Sequence, residues 1–240
     1  MIEVKTEEYN NHKIAVARHD TKSKSIVIFC HGYRGSSIGP NRFFVRSANK
    51  LEAIGISSLR FDQYGSGNSD GSFFESSFND WVATAKAIAQ EYLNKGFRVA
   101  LFGQSMGGST VLAVGSDIHD LTAIVSWVPE ASADDFNAPE SGVIEEGGQI
   151  VQSAFWQEAH DAEIGKRLLQ VKAPTYIVQC TADEYVTEPN RNLIIRNAQK
   201  NHIIDTYEGY LHSTWTYEQS EKIINKSVDF IIQSFIQQTV

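Results

Sequence analysis

The chain has 240 residues, enough for one large domain with a core of its own. Its formal net charge of −8 argues against nucleic acid and anionic membrane surfaces as partners, because both need clustered Lys and Arg. The start, MIEVKTEEYNNHK, has no apolar stretch behind a basic one, and no apolar run approaches the length of a membrane span, so the expected location is cytoplasmic.

Short runs rich in Val, Ile, Tyr and Phe punctuate the sequence and read as strands. The first two, MIEVKTEEY and HKIAVARH, have no helix between them and predict an antiparallel edge hairpin. SIVIFC, GISSLRF, RVALFG, LTAIVSWV, PTYIVQC and HIIDTYE follow. Helix-like segments separate most of them: residues 41–54, 76–94, 107–117 and 187–199. The last helix is the clearest. Ile224, Val228, Ile231 and Phe235 fall on one face, and Thr216 with Gln219 forms a capping box. Strands alternating with helices predict an α/β fold with a mostly parallel eight-stranded sheet covered on both faces.

One connection is too long for a simple crossover, namely residues 129–173. DAEIGKRLLQ is a candidate crossover helix, and GVIEEGGQIVQS reads as a hairpin around Gly147–Gly148. Residues 129–158 are therefore expected to form a small lid inserted into a core of residues 1–128 and 159–240. The two cysteines, Cys30 and Cys180, end strand-like runs and read as free buried thiols. No zinc-ligand spacing exists, and neither a metal nor a cofactor is expected.

The stretch VALFGQSMGGSTVLAV places Gly103, Ser105, Gly107 and Gly108 between a strand and a helix. A strand that turns sharply into a helix with one residue at its apex needs small residues two positions before and after. Such a turn presents the Ser105 hydroxyl at the carboxyl edge of the sheet, beside a helix N-terminus. A serine hydroxyl needs a base, and the base an orienting acid, before it becomes a nucleophile. Of the seven histidines, His12, His19, His119, His160 and His202 read as structural or solvated. His212, in EGYLHST after the last strand, belongs to the same edge as Ser105. Asp183, just past PTYIVQC, is the candidate acid, with Glu184 beside it as the alternative. The backbone N–H of Met106 and that of Tyr33, in VIFCHGYRG, are the candidate oxyanion donors, and His31 reads as a brace for that loop.

With these pieces in hand, the sequence resembles the α/β-hydrolase superfamily over essentially its whole length, through HGYRG, RFDQYGSGNSDG, GQSMGG, TADEYV and GYLHS. It is most similar to small esterases of the cinnamoyl/feruloyl type that carry a short lid. The resemblance implies a serine esterase, with Asp62 and its neighbouring glycines shaping a loop. Gln104 stands where the group commonly has His, and VQCTADE replaces its usual His-Gly before the acid. Aminopeptidase-like or thioesterase chemistry on the same residues is the alternative, as is a hydrolase fold that only binds a ligand.

Two further expectations concern the substrate, a small ester. Trp127, Phe155 and Trp156 are candidates to line an acyl or aryl pocket, or else to anchor the lid. Residues 129–157 hold Glu130, Asp134, Asp135, Glu140, Glu145 and Glu146 without Lys or Arg, which predicts a negative potential over the mouth of the site.

Overall fold

The structure is a computed structural model that describes residues 2–132 and 142–237. In chain order its elements are β1 (Ile2–Tyr9), β2 (His12–His19), β3 (Ser25–Cys30), α1 (Phe43–Ala53), β4 (Ser57–Phe61), α2 (Phe78–Asn94), β5 (Arg98–Gln104) and α3 (Met106–Asp117). There follow β6 (Ala123–Trp127), β7 (Val143–Glu146), β8 (Gln149–Gln152), α4 (Ala154–Asp161), α5 (Ile164–Arg167), β9 (Thr175–Cys180), α6 (Glu188–Asn197), β10 (His202–Tyr207) and α7 (Tyr217–Gln237).

Eight strands form one sheet in the order β1-β2-β4-β3-β5-β6-β9-β10. The sheet is parallel from β4 through β10, and antiparallel where β1 pairs with β2 and β2 with β4. The β1–β2 hairpin turns through Asn10 and Asn11, both at positive φ, the geometry a two-residue hairpin turn requires. The central strands are apolar on both faces. In β5, Val99 and Leu101 point into one core cluster and Ala100 and Phe102 into the other. Helices α1 and α7 cover the second cluster, while α2 and α3, with the shorter α4 to α6, cover the first. The capping box at the start of α7 is present in both directions, with Thr216 N–H on Gln219 Oε1 and Gln219 N–H on Thr216 Oγ1.

From β3 the chain crosses to β4 on one side, and through α2 it returns to β5 on the other. The carboxyl ends of β3 and β5 are therefore a switch point, where two loops leave in opposite directions and open a crevice between them.

The inserted region differs from expectation in its second half. The hairpin is present as β7 and β8 around Gly147 and Gly148, both at positive φ. The expected crossover helix over 161–170 is a single turn, α5, followed by a 3₁₀ turn at Leu168–Gln170. The longer helix is α4, immediately before it. Glu163 in left-handed backbone (φ 46°) breaks the run between them. Phe155 and Ala159, one turn apart on α4, are buried in the first cluster.

Both cysteines are free and buried, and burial pushes their thiols above the usual range. Among the described residues no helix is long and apolar enough to cross a membrane.

Two buried histidines make stability depend on pH. Burial lowers the pKa of His31 and of His202 below the ordinary histidine value of 6.5. Each accepts a backbone N–H on one ring nitrogen, so a second proton would break that bond. The unfolded chain takes up these protons first. The stabilising contribution is whole above pH 6.5 and is lost as the pH falls through the lowered native values. Denaturant midpoints are expected to fall between about pH 7 and pH 5, before most carboxylates titrate, and His202→Gln should lessen that fall.

Candidate active site

The turn from β5 into α3 is built on close backbone approach. Ser105 sits at its apex with φ 56° and ψ −124°, a strained conformation for any residue with a side chain. A Cβ on Gly103 would overlap the carbonyl of Gly107, and one on Gly107 would overlap the carbonyls of Cys30 and His31. The two glycines thus let the turn close on itself and let it press against the end of β3. Ser105 N–H is tied to the Trp127 carbonyl at 2.8 Å, which fixes the apex to β6.

Three side chains from separate strand ends meet here. His212 Nε2 lies 2.8 Å from Ser105 Oγ, and His212 Nδ1 lies 2.7 Å from Asp183 Oδ2. The Asp183 side chain is only 1% exposed, and its other oxygen accepts the N–H groups of Tyr185 and Val186 at 2.9 and 2.8 Å. With Oδ1 so occupied, Oδ2 is left for the imidazole. Glu184 does not reach the ring; its Oε2 accepts the backbone N–H of His212 at 3.3 Å. The Asp183 contact places the ring proton on Nδ1, which leaves Nε2 as an acceptor facing the serine hydroxyl. The set can therefore move a proton from Ser105 Oγ to imidazole.

Beside Ser105 the loop after β3 turns back at Gly32, which lies so close to Gln104 and to the Cβ of Ser105 that a side chain would crowd both. Tyr33 and Met106 both line the cavity there. Met106 is the first residue of α3, so its N–H has no carbonyl within the helix to bond. His31 is fully buried and braces this loop. Its Nε2 accepts the Gln63 N–H at 2.9 Å, so Nδ1 carries the proton and donates to the Gly32 carbonyl at 2.8 Å. Asp62 adds a second brace, accepting Ser37 N–H at 2.6 Å and Asn68 N–H at 2.8 Å. Gln104 donates through Nε2 to Ser213 Oγ at 2.6 Å, joining the residue before Ser105 to the residue after His212.

The cavity over Ser105 has a volume of about 830 Å³. Of the three aromatics expected in it, only Trp156 lines it. Trp127 is fully buried on the opposite face of the sheet, against Phe43, Phe102 and Trp215, with its Nε1 donating to Ser227 Oγ. The alternation of β6 puts Trp127 on the same side as Val125, away from the cavity. Phe155 is also fully buried, edge-on to Phe78 and Trp81, and anchors α4 to α2. Tyr33, half-buried, packs its ring against Trp156 at 4.8 Å.

The acidic rim is also different from expectation. Asp134, Asp135 and Glu140 lie outside the described residues. Glu145 is exposed on the hairpin. Glu130 and Glu146 do line the cavity, but so does a cation from outside the inserted segment, Arg34. Its position directly after Tyr33 in HGYRG was the available signal. Among the described residues no cluster of His, Cys, Asp and Glu is arranged to hold a metal ion.

Comparison with known proteins agrees with this architecture. The family model described as serine aminopeptidase, S33, matches residues 21–140. No curated protein matches the chain. Among solved structures, Est1E from Butyrivibrio proteoclasticus with ferulic acid bound superposes with a TM-score of 0.83 at 20% identity, over 97% of this chain and 99% of that one. The α/β-hydrolase GrgF from Penicillium sp. sh18 gives 0.81 at 13% identity, over 98% and 99%. A monoacylglycerol lipase from Paleococcus ferrophilus gives 0.78 at 17% identity, over 92% and 99%. At such identities the likeness is one of fold, and with the match of the family model it makes the chain a member of the serine aminopeptidase S33 family of α/β-hydrolases.

Proposed function

We propose that the protein is a serine hydrolase that cleaves small carboxylic esters through an acyl-enzyme on Ser105. The observation that carries this reading is the unbroken chain of contacts from Ser105 Oγ through the His212 ring to the buried Asp183 carboxylate. In this reading Ser105 Oγ attacks the ester carbonyl while His212 Nε2 takes its proton. Asp183 holds the imidazole in the right tautomer and faces the positive charge that develops on it. The Tyr33 and Met106 N–H groups receive the carbonyl oxygen as it becomes an oxyanion, each contributing about 2.7–4 kcal/mol in the transition state. His212 then returns the proton to the leaving alcohol, and water, deprotonated by the same ring, releases the acid. The β7–β8 hairpin, which sets Ile144 and Glu146 on the cavity wall, serves as the lid.

The family's description favours a second reading, an aminopeptidase-like activity on the same serine. A panel of p-nitrophenyl esters of varied chain length, a methyl hydroxycinnamate and an aminoacyl anilide separates the two. Turnover of the anilide above every ester would favour the second.

Labelling by a fluorophosphonate probe is expected in the wild type and absent in Ser105→Ala, whose melting temperature should stay close to that of the wild type. Asp183→Asn should lower kcat by about 10⁴-fold, by holding the imidazole in the wrong tautomer. Glu184→Gln should cost far less, since Glu184 meets only the His212 backbone. A larger loss for Glu184→Gln would transfer the orienting role to it.

Among the described residues, Trp156 is the aromatic that the inserted region sets on the cavity wall, and it carries a second expectation. Trp156→Ala should raise KM for aryl esters about 3–10-fold relative to acetyl esters, in keeping with the loss of one ring contact. Equal losses on both, with a lowered melting temperature, would reduce Trp156 to an anchor for α4.

A further inference from the structure

The cavity wall carries a cation for which ester hydrolysis as such has no use. Arg34 directly follows Tyr33 and is held in left-handed backbone, φ 55°. Its guanidinium lies 5.8 Å from the Tyr33 ring centroid and donates through Nη2 to Glu146 Oε1, on the hairpin, at 3.0 Å. The hairpin turn is shaped to receive it, since a Cβ on Gly147 would overlap Nη1. Yet the guanidinium is under-used. It has five N–H donors in a planar fork, and among the described residues its buried Nε–H has no hydrogen-bond partner.

Glu146 is thus a carboxylate, tethered to the hairpin, that already occupies part of an Arg fork inside the cavity over Ser105. The two side chains are 28% and 40% exposed, and an ion pair so open to water is weak and easily exchanged. The other acid on the wall, Glu130, does not compete for the fork in this arrangement. Both of its oxygens accept the Ser132 N–H at 2.9 Å. A planar, two-oxygen acceptor is what a guanidinium fork binds best.

We propose that Arg34 is a specificity-determining residue that binds a free carboxylate on the substrate in exchange for Glu146. The substrate class is then esters that carry a carboxylate besides the scissile group, hemiesters of dicarboxylic acids being the simplest. This rests on the reading of Ser105 as an ester-cleaving nucleophile. It reverses the expectation from composition, in which an acidic lid turns anions away.

The experiment compares mono-p-nitrophenyl glutarate with p-nitrophenyl valerate, which has the same number of acyl carbons and a methyl group in place of the carboxylate. The quantity read is the ratio of their kcat/KM values. Arg34→Gln should lower that ratio at least about tenfold, the size of one charge-assisted contact, with the loss residing in KM. Arg34→Lys should restore part of it, and Glu146→Gln should raise it by removing the competing carboxylate. An unchanged ratio in Arg34→Gln, or a ratio lowered by Glu146→Gln, would overturn the proposal. If the wild type turns over neither ester, the esterase reading fails by itself. The carboxylate site is then read by thermal shift with monomethyl glutarate on Ser105→Ala. A rise in melting temperature that disappears when Arg34→Gln is added sustains the site, and no rise overturns it.

Discussion

The site depends on one constraint, the close approach of two backbone turns with no side chain between them. The turn at Ser105 presses on the end of β3 through Gly107, and the loop after β3 presses back through Gly32. The first contact is backbone against backbone, the second sets Gly32 against the carbonyl and side chain of Gln104 and the Ser105 Cβ, and Tyr33 and Met106 both line the cavity beside them. A methyl group at Gly107 or Gly32 would force the turns apart, and one at Gly103 would open the Ser105 turn itself. The three glycines let the ends of β3 and β5 come together at the Ser105 hydroxyl.

Holding that geometry has a cost, since Ser105 occupies a backbone region worth about 1–3 kcal/mol of strain. The surroundings over-determine it. Ser105 N–H is bound to the Trp127 carbonyl, and its own carbonyl accepts the Ser109 N–H in α3. The facing loop is held by His31, Gln63 and Asp62, and by Arg60 Nη1 donating to the Ser37 carbonyl. None of these groups reaches the cavity floor. They are rigid supports, and they explain why a histidine so near the serine is buried and locked in one tautomer while another, His212, faces Oγ.

The sequence was most legible where local physics left one solution. The short apolar runs, the glycines around Ser105 and the Thr216–Gln219 cap each admit a single structure, and each is present. The placement of His212 and Asp183 followed from chain order alone, because loops after parallel strands share an edge. What was not legible depended on tertiary direction. Trp127 ends a strand near the site, but alternation along β6 turns it to the far face. Phe155 and Trp156 are adjacent, yet helical geometry sends one into the core and the other to the cavity wall. The acids of the inserted segment predict a negative rim, but the cation that meets Glu146, Arg34, comes from outside that segment, in the loop after β3. The short α5 has a local cause, the left-handed Glu163, that no apolar pattern reveals.

The four tryptophans are distributed so that they divide the labour of reporting on the molecule. Trp81 and Trp127 are sealed in the two halves of the core. Trp215 is buried too, stacked on Phe43 and donating to the Leu211 carbonyl just before His212. Trp156 alone meets the cavity. Intrinsic fluorescence therefore contains one solvent-responsive emitter over a shielded background. Quenching by a soluble agent, and its suppression by a non-hydrolysable ligand, reads occupancy of the site optically, without a chromophore on the ligand and without any turnover.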